Sequence, residues 1–140
     1  MWQLKTFDQL TTHELFEIYK ARVAVFVVEQ HCAYPEVDDN DLIATHLFAK
    51  HGTKLTAYCR IIPEQDGIHI GRVLVDEQAR GQGLARQLLQ TALSHCDNTQ
   101  DIYVQAQAHL QDFYRSLGFK PISAVYLEDG IPHLDMRLGE

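Results

Sequence analysis

Apolar residues alternate with polar ones at the start of the chain and take up a helical period soon afterwards. Residues 2–7 alternate, which predicts an opening strand. Thr11 and Glu14 stand three positions apart, as in a capping box, and predict that a helix starts there. The apolar face of this helix comprises Leu15, Ile18, Tyr19 and Phe26. Its continuation to Val28 is expected to kink, because valine-rich sequence is a poor helix former.

Three strand-like runs follow in the middle of the chain. Residues 43–50 and 55–62 flank a turn signal at 51–53 (His-Gly-Thr), which predicts a β-hairpin. Residues 63–67 contain proline and glycine and predict a second turn, leading into a third run at 68–75. The sequence therefore predicts an antiparallel meander.

The second half alternates helical and strand patterns. A helix after Gly81 carries an apolar stripe that includes Leu84, Leu88 and Ala92. A strand at 102–105 precedes a helix with Leu110, Phe113, Tyr114 and Leu117 on one face, closed by Gly118. Strands at 120–126 and 133–138 flank a turn at 128–130. The chain is predicted to form one domain, residues 1–140, that mixes helices and strands.

The junction between strand and helix at residues 73–86, V-L-V-D-E-Q-A-R-G-Q-G-L-A-R, has the chemistry of a phosphate site. A helix N-terminus leaves four N–H groups without intrahelical partners and carries about half a positive charge. Gly81 and Gly83 lack the Cβ atoms that would hold a phosphate away, and Arg80 and Arg86 add positive charge. These features predict a pyrophosphate cradle at the turn.

The residues around the glycines distinguish between phosphate-binding motifs. A P-loop needs Lys and then Ser or Thr after its last glycine, whereas Leu84 and Ala85 follow here. A dinucleotide fingerprint needs a small residue at position 86, where this chain has Arg. The pattern that remains is Q/R-x-x-G-x-G/A, matched by Gln78, Gly81 and Gly83 directly after a strand.

This pattern resembles the acetyl-CoA signature of the GCN5-related N-acetyltransferase (GNAT) superfamily. The run Q-A-Q-A-H-L-Q-D-F-Y-R-S-L-G-F at 105–119 resembles the strand-to-helix motif that follows it in that family. Further segments, R-V-A-V-F-V-V-E-Q, E-V-D-D-N-D, I-G-R-V and E-D-G-I-P-H, resemble the ElaA-like branch. The resemblance covers most of the chain. It implies an α/β (α+β) fold with a mixed, mainly antiparallel sheet of six to seven strands, helices on both faces, and a splayed acetyl-CoA cleft.

The resemblance also implies which residues hold the cofactor. Backbone groups of Val73 and Val75 would pair with the pantetheine amides like an added strand. The N–H groups from Arg80 to Ala85 would hold the pyrophosphate. Gln107 stands where many family members have an Asn that contacts the cofactor. The expected cofactor-binding residues are Val73, Leu74, Val75, Arg80, Gly81, Gln82, Gly83, Leu84, Ala85, Arg86 and Gln107.

Acetyl transfer from a thioester to an amine needs a neutral amine nucleophile and a proton for the leaving thiolate. The resemblance assigns the acid to Tyr114; the alternative is a core tyrosine, because it shares a face with Leu110 and Leu117. The base is open, since Gly71 and Arg72 stand where some relatives have Glu. Glu29 and Asp38 are the leading candidates. Further candidates are Glu36, His46 and His133, of which Glu36 and His133 are also expected to contact the substrate.

Residues 29–41 form an acidic segment interrupted by Pro35. Charged loops usually face water, so a solvated loop is one interpretation. The other is a binding wall for an ammonium group, because the family places substrate-specific elements here.

Composition narrows the classes of partner. Twelve Lys and Arg stand against 19 Asp and Glu, and the net charge of −7 disfavours nucleic acid and anionic membranes while favouring a cationic amine. The longest apolar run is far shorter than the roughly 20 residues that span a bilayer. Three cysteines without a C-x-x-C pattern suit reduced thiols in a cytoplasmic protein. No histidine pair has metal-ligand spacing, so no metal is expected. The oligomeric state is open between a monomer and a homodimer.

Two classes of function follow. The first is an N-acetyltransferase that transfers an acetyl group from acetyl-CoA to a primary amine, on a small molecule or a peptide, by direct attack in a ternary complex. The alternative is a noncatalytic acyl-CoA-binding regulatory module. Such a module would keep the glycine cradle but would need neither Tyr114 nor the acidic segment.

Overall fold

Thr11 begins the first long helix, as the capping box predicts. In the computed structural model, which describes residues 2–97 and 99–139, the Thr11 hydroxyl accepts from the Glu14 N–H at 3.0 Å and the Glu14 carboxylate accepts from the Thr11 N–H at 2.9 Å. Strand β1 (Trp2–Thr6) and a 3-10 turn (Phe7–Gln9) precede helix α1 (Thr12–Arg22). The valine-rich continuation, where a kink is expected, is a π-helix (Val23–Glu29).

The meander is present with small shifts in its bounds. A short helix α2 (Asn40–Ile43) replaces the predicted start of the next strand, so β2 runs over Thr45–His51. Strand β3 (Lys54–Glu64) and strand β4 (Gly67–Val75) follow. The expected turn between β2 and β3 contains Gly52 at φ 65°.

The second half contains the predicted helices and one more strand than predicted. A 3-10 turn (Glu77–Ala79) leads to α3 (Leu84–Ser94), then β5 (Ile102–Gln107), a 3-10 turn (Ala108–Leu110) and α4 (Gln111–Ser116). The predicted strand 120–126 is wrong: two short strands, β6 (Phe119–Pro121) and β7 (Tyr126–Glu128), flank residues 122–125. The last strand, β8, spans Ile131–Leu138.

The eight strands within residues 2–97 and 99–139 all belong to one sheet, in the order β1-β2-β3-β4-β5-β8-β6, with β7 also paired to β8. The pairing is antiparallel except between β4 and β5. The count is therefore eight and not six or seven, because the segment after α4 forms two strands. The mixed, mainly antiparallel class is confirmed.

The two parallel strands separate after a short contact. Pairing of β4 with β5 covers only Ile68 with Ile102 through Ile70 with Val104, while β4 continues to Val75 and β5 to Gln107. A bulge in the pairing of β3 with β4 lies at the same level, and Arg72 adopts φ 52° there. The backbone of β4 beyond Ile70 is therefore free on the side of β5, as the expected cleft requires.

Two clusters of buried side chains cover the two faces of the sheet. Helices α3 and α4 pack Leu88, Leu89, Ala92 and Tyr114 against alternate residues of β5 and β8 such as Val104 and Leu134. Helix α1 and the π-helix pack on the other face, where Ile18 meets Phe48 and Leu74. The second layer reaches across β2 to β4 only, so it leaves that face of β5 and β8 uncovered.

Candidate active site

A cleft of about 940 Å³ opens where β4 and β5 separate. Its walls come from the π-helix and the loop after it, from β4, from the turn 79–86, from α4, and from the β7–β8 hairpin. The cleft therefore gathers most of the segments that carry the family resemblance.

The glycine turn has the form that the cradle hypothesis requires. Gly81 and Gly83 adopt φ 80° and 76°, and a Cβ on either would meet no atom within 4 Å. Gly83 is the N-cap of α3 and provides no side-chain cap, so the first N–H groups of the helix are open. Cleft-lining residues of the turn are Arg80, Gly81, Gly83, Leu84, Ala85 and Arg86. Gln82, also expected to bind the cofactor, does not line the cleft.

The two arginines of the turn have different partners. Arg80 places both terminal nitrogens on the Glu29 carboxylate at 2.8 and 2.9 Å, and its Nε donates to the Val75 carbonyl at 3.0 Å. Arg86 donates to Ser116 at 2.9 Å and lies over the Phe113 ring. Both side chains reach the cleft wall, but Arg80 also links the turn to the end of the π-helix.

Strand β4 offers backbone groups where pantetheine binding is expected. Val73, Leu74 and Val75 line the cleft. The Leu74 side chain is 3% exposed and packs in the core beneath α1, so only its backbone can contact a cofactor. Gln107, at the end of β5, also lines the cleft.

Tyr114 combines a core environment with an open hydroxyl. Its ring makes edge contacts with Phe113 and Phe119 at centroid distances of 5.3 and 5.8 Å, and the residue is 5% exposed. It nevertheless lines the cleft, and across residues 2–97 and 99–139 its hydroxyl has no hydrogen-bond partner. Burial raises the pKa of Tyr114, so the phenol stays protonated at neutral pH. The two interpretations of this residue are thus compatible.

The two leading base candidates are held by arginines. Hydrogen bonds from Arg80 lower the pKa of Glu29, and hydrogen bonds from Arg60 lower the pKa of Asp38. Both residues line the cleft. A carboxylate stabilised in its charged form is a weaker base than a free one, so the geometry disfavours both assignments.

The structure places Glu36, an expected substrate contact, in the protein interior and outside the cleft. Glu36 is 4% exposed, and its carboxylate accepts from Arg22 Nε at 2.6 Å, from Arg72 Nε at 2.8 Å and from the Tyr34 hydroxyl. It does not line the cleft. A carboxylate already surrounded by donors inside the protein cannot also form the wall for an ammonium group.

Glu36 belongs to a buried ionic network that fixes the acidic segment to the sheet. Arg22, fully buried, pairs with Asp41 at 2.6 Å, and Arg60 bridges Asp41 at 3.0 Å and Asp38 at 2.7 Å. Burial opposes ionisation of Asp41, but the two arginines more than offset it and lower its pKa. At Glu36, Asp38 and Asp41 the acidic segment is therefore neither a solvated loop nor a free anionic wall.

The two histidine candidates lie in different places. His46 is fully buried between the Tyr58 hydroxyl at 2.6 Å and the Asp41 carbonyl at 3.0 Å, outside the cleft. Burial lowers the pKa of His46. His133 lines the cleft on β8 and is half-buried, with Nδ1 at 2.7 Å from the Ile131 carbonyl oxygen. Only His133 is placed to meet a substrate.

Sequence patterns did not single out several residues that line the cleft. The carboxylates of Glu128 and Asp129 stand at its edge on the β7–β8 turn, and neither makes an ion pair within the described chain. Tyr34 stacks its ring on Arg72, with the guanidinium 5.6 Å from the ring centroid. The E-D-G turn signal marked the position of the two carboxylates, but only the fold shows that they border the cleft.

Two further features lie away from the cleft. Glu64, Asp66 and His69, next to the β3–β4 turn, bring three potential ligand atoms within 4.8 Å of one another at the surface. None of the helices in residues 2–97 and 99–139 combines the length and the apolar composition needed to cross a membrane.

Comparison with known proteins gives matches over nearly the whole chain. A family model described as an acetyltransferase (GNAT) domain matches residues 14–139. A UPF0039 protein of Schizosaccharomyces pombe is 47% identical, over 96% of this chain and 93% of the relative. Protein ElaA of Escherichia coli is 41% identical, over 96% of this chain and 94% of ElaA.

Solved structures agree with these sequence matches. The crystal structure of Escherichia coli ElaA superposes with a TM-score of 0.95 at 39% identity, covering 99% of each chain. The crystal structure of an acyl-CoA N-acyltransferase from Pseudomonas aeruginosa superposes with a TM-score of 0.94 at 42% identity, again over 99% of each chain. The sheet order, the splayed cleft, the glycine cradle and these matches point to the same conclusion: the chain belongs to the GNAT acyltransferase family, in its ElaA-like branch.

Proposed function

We propose that this protein transfers an acetyl group from acetyl-CoA to a primary amine by direct attack in a ternary complex. One observation carries the proposal: the open helix N-terminus at Gly83 and the unpartnered Tyr114 hydroxyl line the same cleft. The helix N-terminus suits a pyrophosphate, and the hydroxyl suits the sulfur that leaves. A binding module would need only the first.

The cleft residues fit the parts of acetyl-CoA in order. The turn 80–86 supplies N–H groups and arginine charge for the pyrophosphate. Backbone groups of Val73 and Val75 on the side of β5, where β4 no longer pairs with that strand, supply strand-like hydrogen bonds for pantetheine, although the Val75 carbonyl also accepts from Arg80. Gln107 and Tyr114 lie in the cleft wall beyond, where the thioester would reach. A Cβ at Gly81 or Gly83 would project into open space, which leaves room for close approach of a phosphate.

The Tyr114 hydroxyl is proposed to donate a hydrogen bond to the CoA sulfur as the C–S bond breaks. With reference pKa values of about 10 for tyrosine and 8.5 for a thiol, complete proton transfer to the finished thiolate is uphill by roughly 2 kcal/mol. Burial raises the pKa of Tyr114 and makes that transfer harder still. Its contribution is therefore a hydrogen bond that strengthens as charge develops.

The acceptor is proposed to be a cation in solution. Asp38 and Glu29, in the acidic segment, are paired with arginines, so Glu128 and Asp129 are the cleft carboxylates available to an ammonium group. Changing Glu128 and Asp129 together to their amides should raise the KM for the amine and leave that for acetyl-CoA unchanged. Asn suits position 129, where φ is 51°. An unchanged amine KM would contradict the assignment.

The test of the function is release of CoA thiol from acetyl-CoA with a panel of alkylamines, diamines, polyamines and peptides that bear a free α- or ε-amine. Transfer is expected to give a product heavier by one acetyl group, and a longer acyl-CoA run in parallel reports on acyl preference. Tight CoA binding without turnover across the panel would favour the noncatalytic module instead. Absence of CoA binding would contradict both functions.

A further inference from the structure

We propose that the Nε2 atom of His133 accepts the proton that the acceptor amine loses before it attacks the thioester. This proposal rests on the proposed function, because it assigns a residue to that reaction. It concerns the face of β5, β8 and β7 opposite α3 and α4, which α1 and the π-helix do not cover.

The register of these strands places His133 on the uncovered face. Val104, Ala106, Leu134 and Met136 point into the cluster beneath α3 and α4. Residues that alternate with them therefore project from the opposite face. His133 pairs directly with Gln107 on one side and with Tyr126 on the other, so these three side chains share that face. His133 and Gln107 both line the cleft.

This face is polar and internally ordered. The Gln105 side-chain amide donates to the Tyr126 hydroxyl at 2.8 Å, and that hydroxyl donates to the Asp135 carboxylate. Burial, followed by the hydrogen bond to Asp135, raises the pKa of Tyr126 to about 12. Tyr126 therefore stays protonated at neutral pH and cannot act as the base. Among the described residues on this face, His133 lines the cleft and is of the residue type that most often serves as a general base.

The hydrogen bond at Nδ1 determines which nitrogen is available. A carbonyl oxygen only accepts, so the contact of Nδ1 with the Ile131 carbonyl at 2.7 Å requires the proton on Nδ1. In the neutral ring Nε2 then carries the lone pair. Across residues 2–97 and 99–139 Nε2 makes no hydrogen bond, so the basic nitrogen is open to a ligand in the cleft.

The other candidate bases are paired with arginines, lie outside the cleft or lie near the expected cofactor residues. Arginines hold Glu29 and Asp38 in their charged forms, and Glu36 and His46 lie outside the cleft. His109 lines the cleft from the 3-10 turn before α4, near the cofactor residues, and is exposed. Tyr126 pairs with His133 across the strands, and the charged and titratable groups that share the cleft with His133 include Glu128, Asp129, Asp38, Arg72 and Tyr114. The carboxylates of Glu128 and Asp129, which make no ion pair within the described residues, favour a protonated amine in the cleft.

The ammonium gives one proton to Nε2, and the neutral amine attacks the thioester carbonyl carbon, forming the C–N bond. The C–S bond then breaks. The adduct nitrogen loses its second N–H proton and the CoA sulfur gains one, while the Tyr114 hydroxyl lies next to that sulfur. The imidazolium then returns its proton to water. No oxidant, reductant or metal takes part in this sequence.

The kinetic test uses His133→Asn, because an Asn amide keeps a donor near Nδ1 for the Ile131 carbonyl and deletes Nε2. With acetyl-CoA and the panel amine that reacts fastest, kcat at pH 7 should fall about 10²-fold or more. The pH profile of kcat/KM should change, because the ammonium can then lose its proton only to solvent; added imidazole should restore part of the rate, and CoA affinity should not change. His51→Asn, at the β2–β3 turn outside the cleft, is the matched control and should behave as wild type.

A second measurement needs no acceptor. Nitrogen NMR of the imidazole side chains in the free protein, with the His133 signals identified by their loss in His133→Asn, should show the neutral ring protonated on Nδ1. A neutral ring protonated on Nε2 would overturn the proposal. So would a folded His133→Asn enzyme with an unchanged pH profile and a rate within threefold of wild type. Lack of turnover by the wild-type protein would instead contradict the proposed function, and the tautomer would still decide whether Nε2 can accept a proton.

Discussion

At Tyr114, removal of the hydroxyl oxygen alone distinguishes a role in packing from a role in catalysis. Tyr114→Phe keeps the ring contacts with Phe113 and Phe119 and deletes only the unpartnered hydroxyl. Turnover should fall by about 10²-fold or more, as for loss of a general acid, while CoA affinity and the melting temperature change little. Steady-state kinetics with calorimetry and thermal melts measure all three. A folded variant that turns over within a factor of three of wild type would make Tyr114 a core residue only.

The buried His46 side chain, which lies outside the cleft, should make the free energy of unfolding depend on pH. Burial lowers the pKa of His46 below its ordinary value of 6.5, so between the folded and unfolded values the unfolded chain binds more protons. The resulting stabilisation is present above about pH 6.5 and is lost as the pH falls, with a limiting slope of about 1.4 kcal/mol per pH unit.

Urea unfolding at closely spaced pH values measures this slope. His46→Gln should flatten it between pH 6.5 and the onset of carboxylate titration, even though the variant is less stable at every pH. A wild-type free energy of unfolding that stays constant from pH 7.5 to 5.5 would contradict the assignment of a buried neutral His46.

At the scale of elements, the cofactor hypothesis depends on the turn 80–86. Gly83→Glu introduces bulk and negative charge where a phosphate is expected, and calorimetry should show CoA binding nearly abolished. Gly52→Glu is the matched control, because Gly52 also has a positive φ, 65°, and open space at its Cβ, but lies on the β2–β3 turn. Equal affinities of the two folded variants would remove the cradle.

The ion pair between Glu29 at the end of the π-helix and Arg80 on the turn predicts that Glu29 and the CoA phosphate compete for Arg80. Arg80 is shared between the Glu29 carboxylate and the expected phosphate, so Glu29→Gln should tighten CoA binding by about two- to fivefold, the range of an exposed ion pair. In an Arg80→Gln background the same change should have no effect. A double-mutant cycle by calorimetry tests this, and equal effects in both backgrounds would show a general charge effect and no competition for Arg80.

At the scale of the whole molecule, local signals predicted the parts of the fold that depend on neighbouring residues. The capping box at Thr11 and Glu14 and the glycines at 81 and 83 act through backbone geometry within a few residues, so their outcomes follow from sequence. The pairing of Arg22 with Glu36 and of Arg80 with Glu29 joins positions 14 and 51 residues apart. The periodicity of apolar residues does not predict such contacts. These contacts nevertheless determine that Glu36 is buried and that Glu29 is held as an anion.

The uncovered face of β5 and β8 also depends on the complete sheet. Alternation in these strands predicts that one side of each is polar, but the sheet order determines that α1 and the π-helix stop at β4. The position of His133 in the cleft therefore follows from topology. Sequence alone left it among five base candidates.

The central claim is that the cleft between β4 and β5 holds acyl-CoA with its pyrophosphate on the turn 80–86. Amide NMR of the ¹⁵N-labelled protein titrated with CoA tests this most directly. The largest shift changes are predicted at Arg80 to Arg86, at Val73 and Val75, and at Gln107, with the β2–β3 turn unaffected. Shift changes centred outside the cleft, or none at millimolar CoA, would contradict the account.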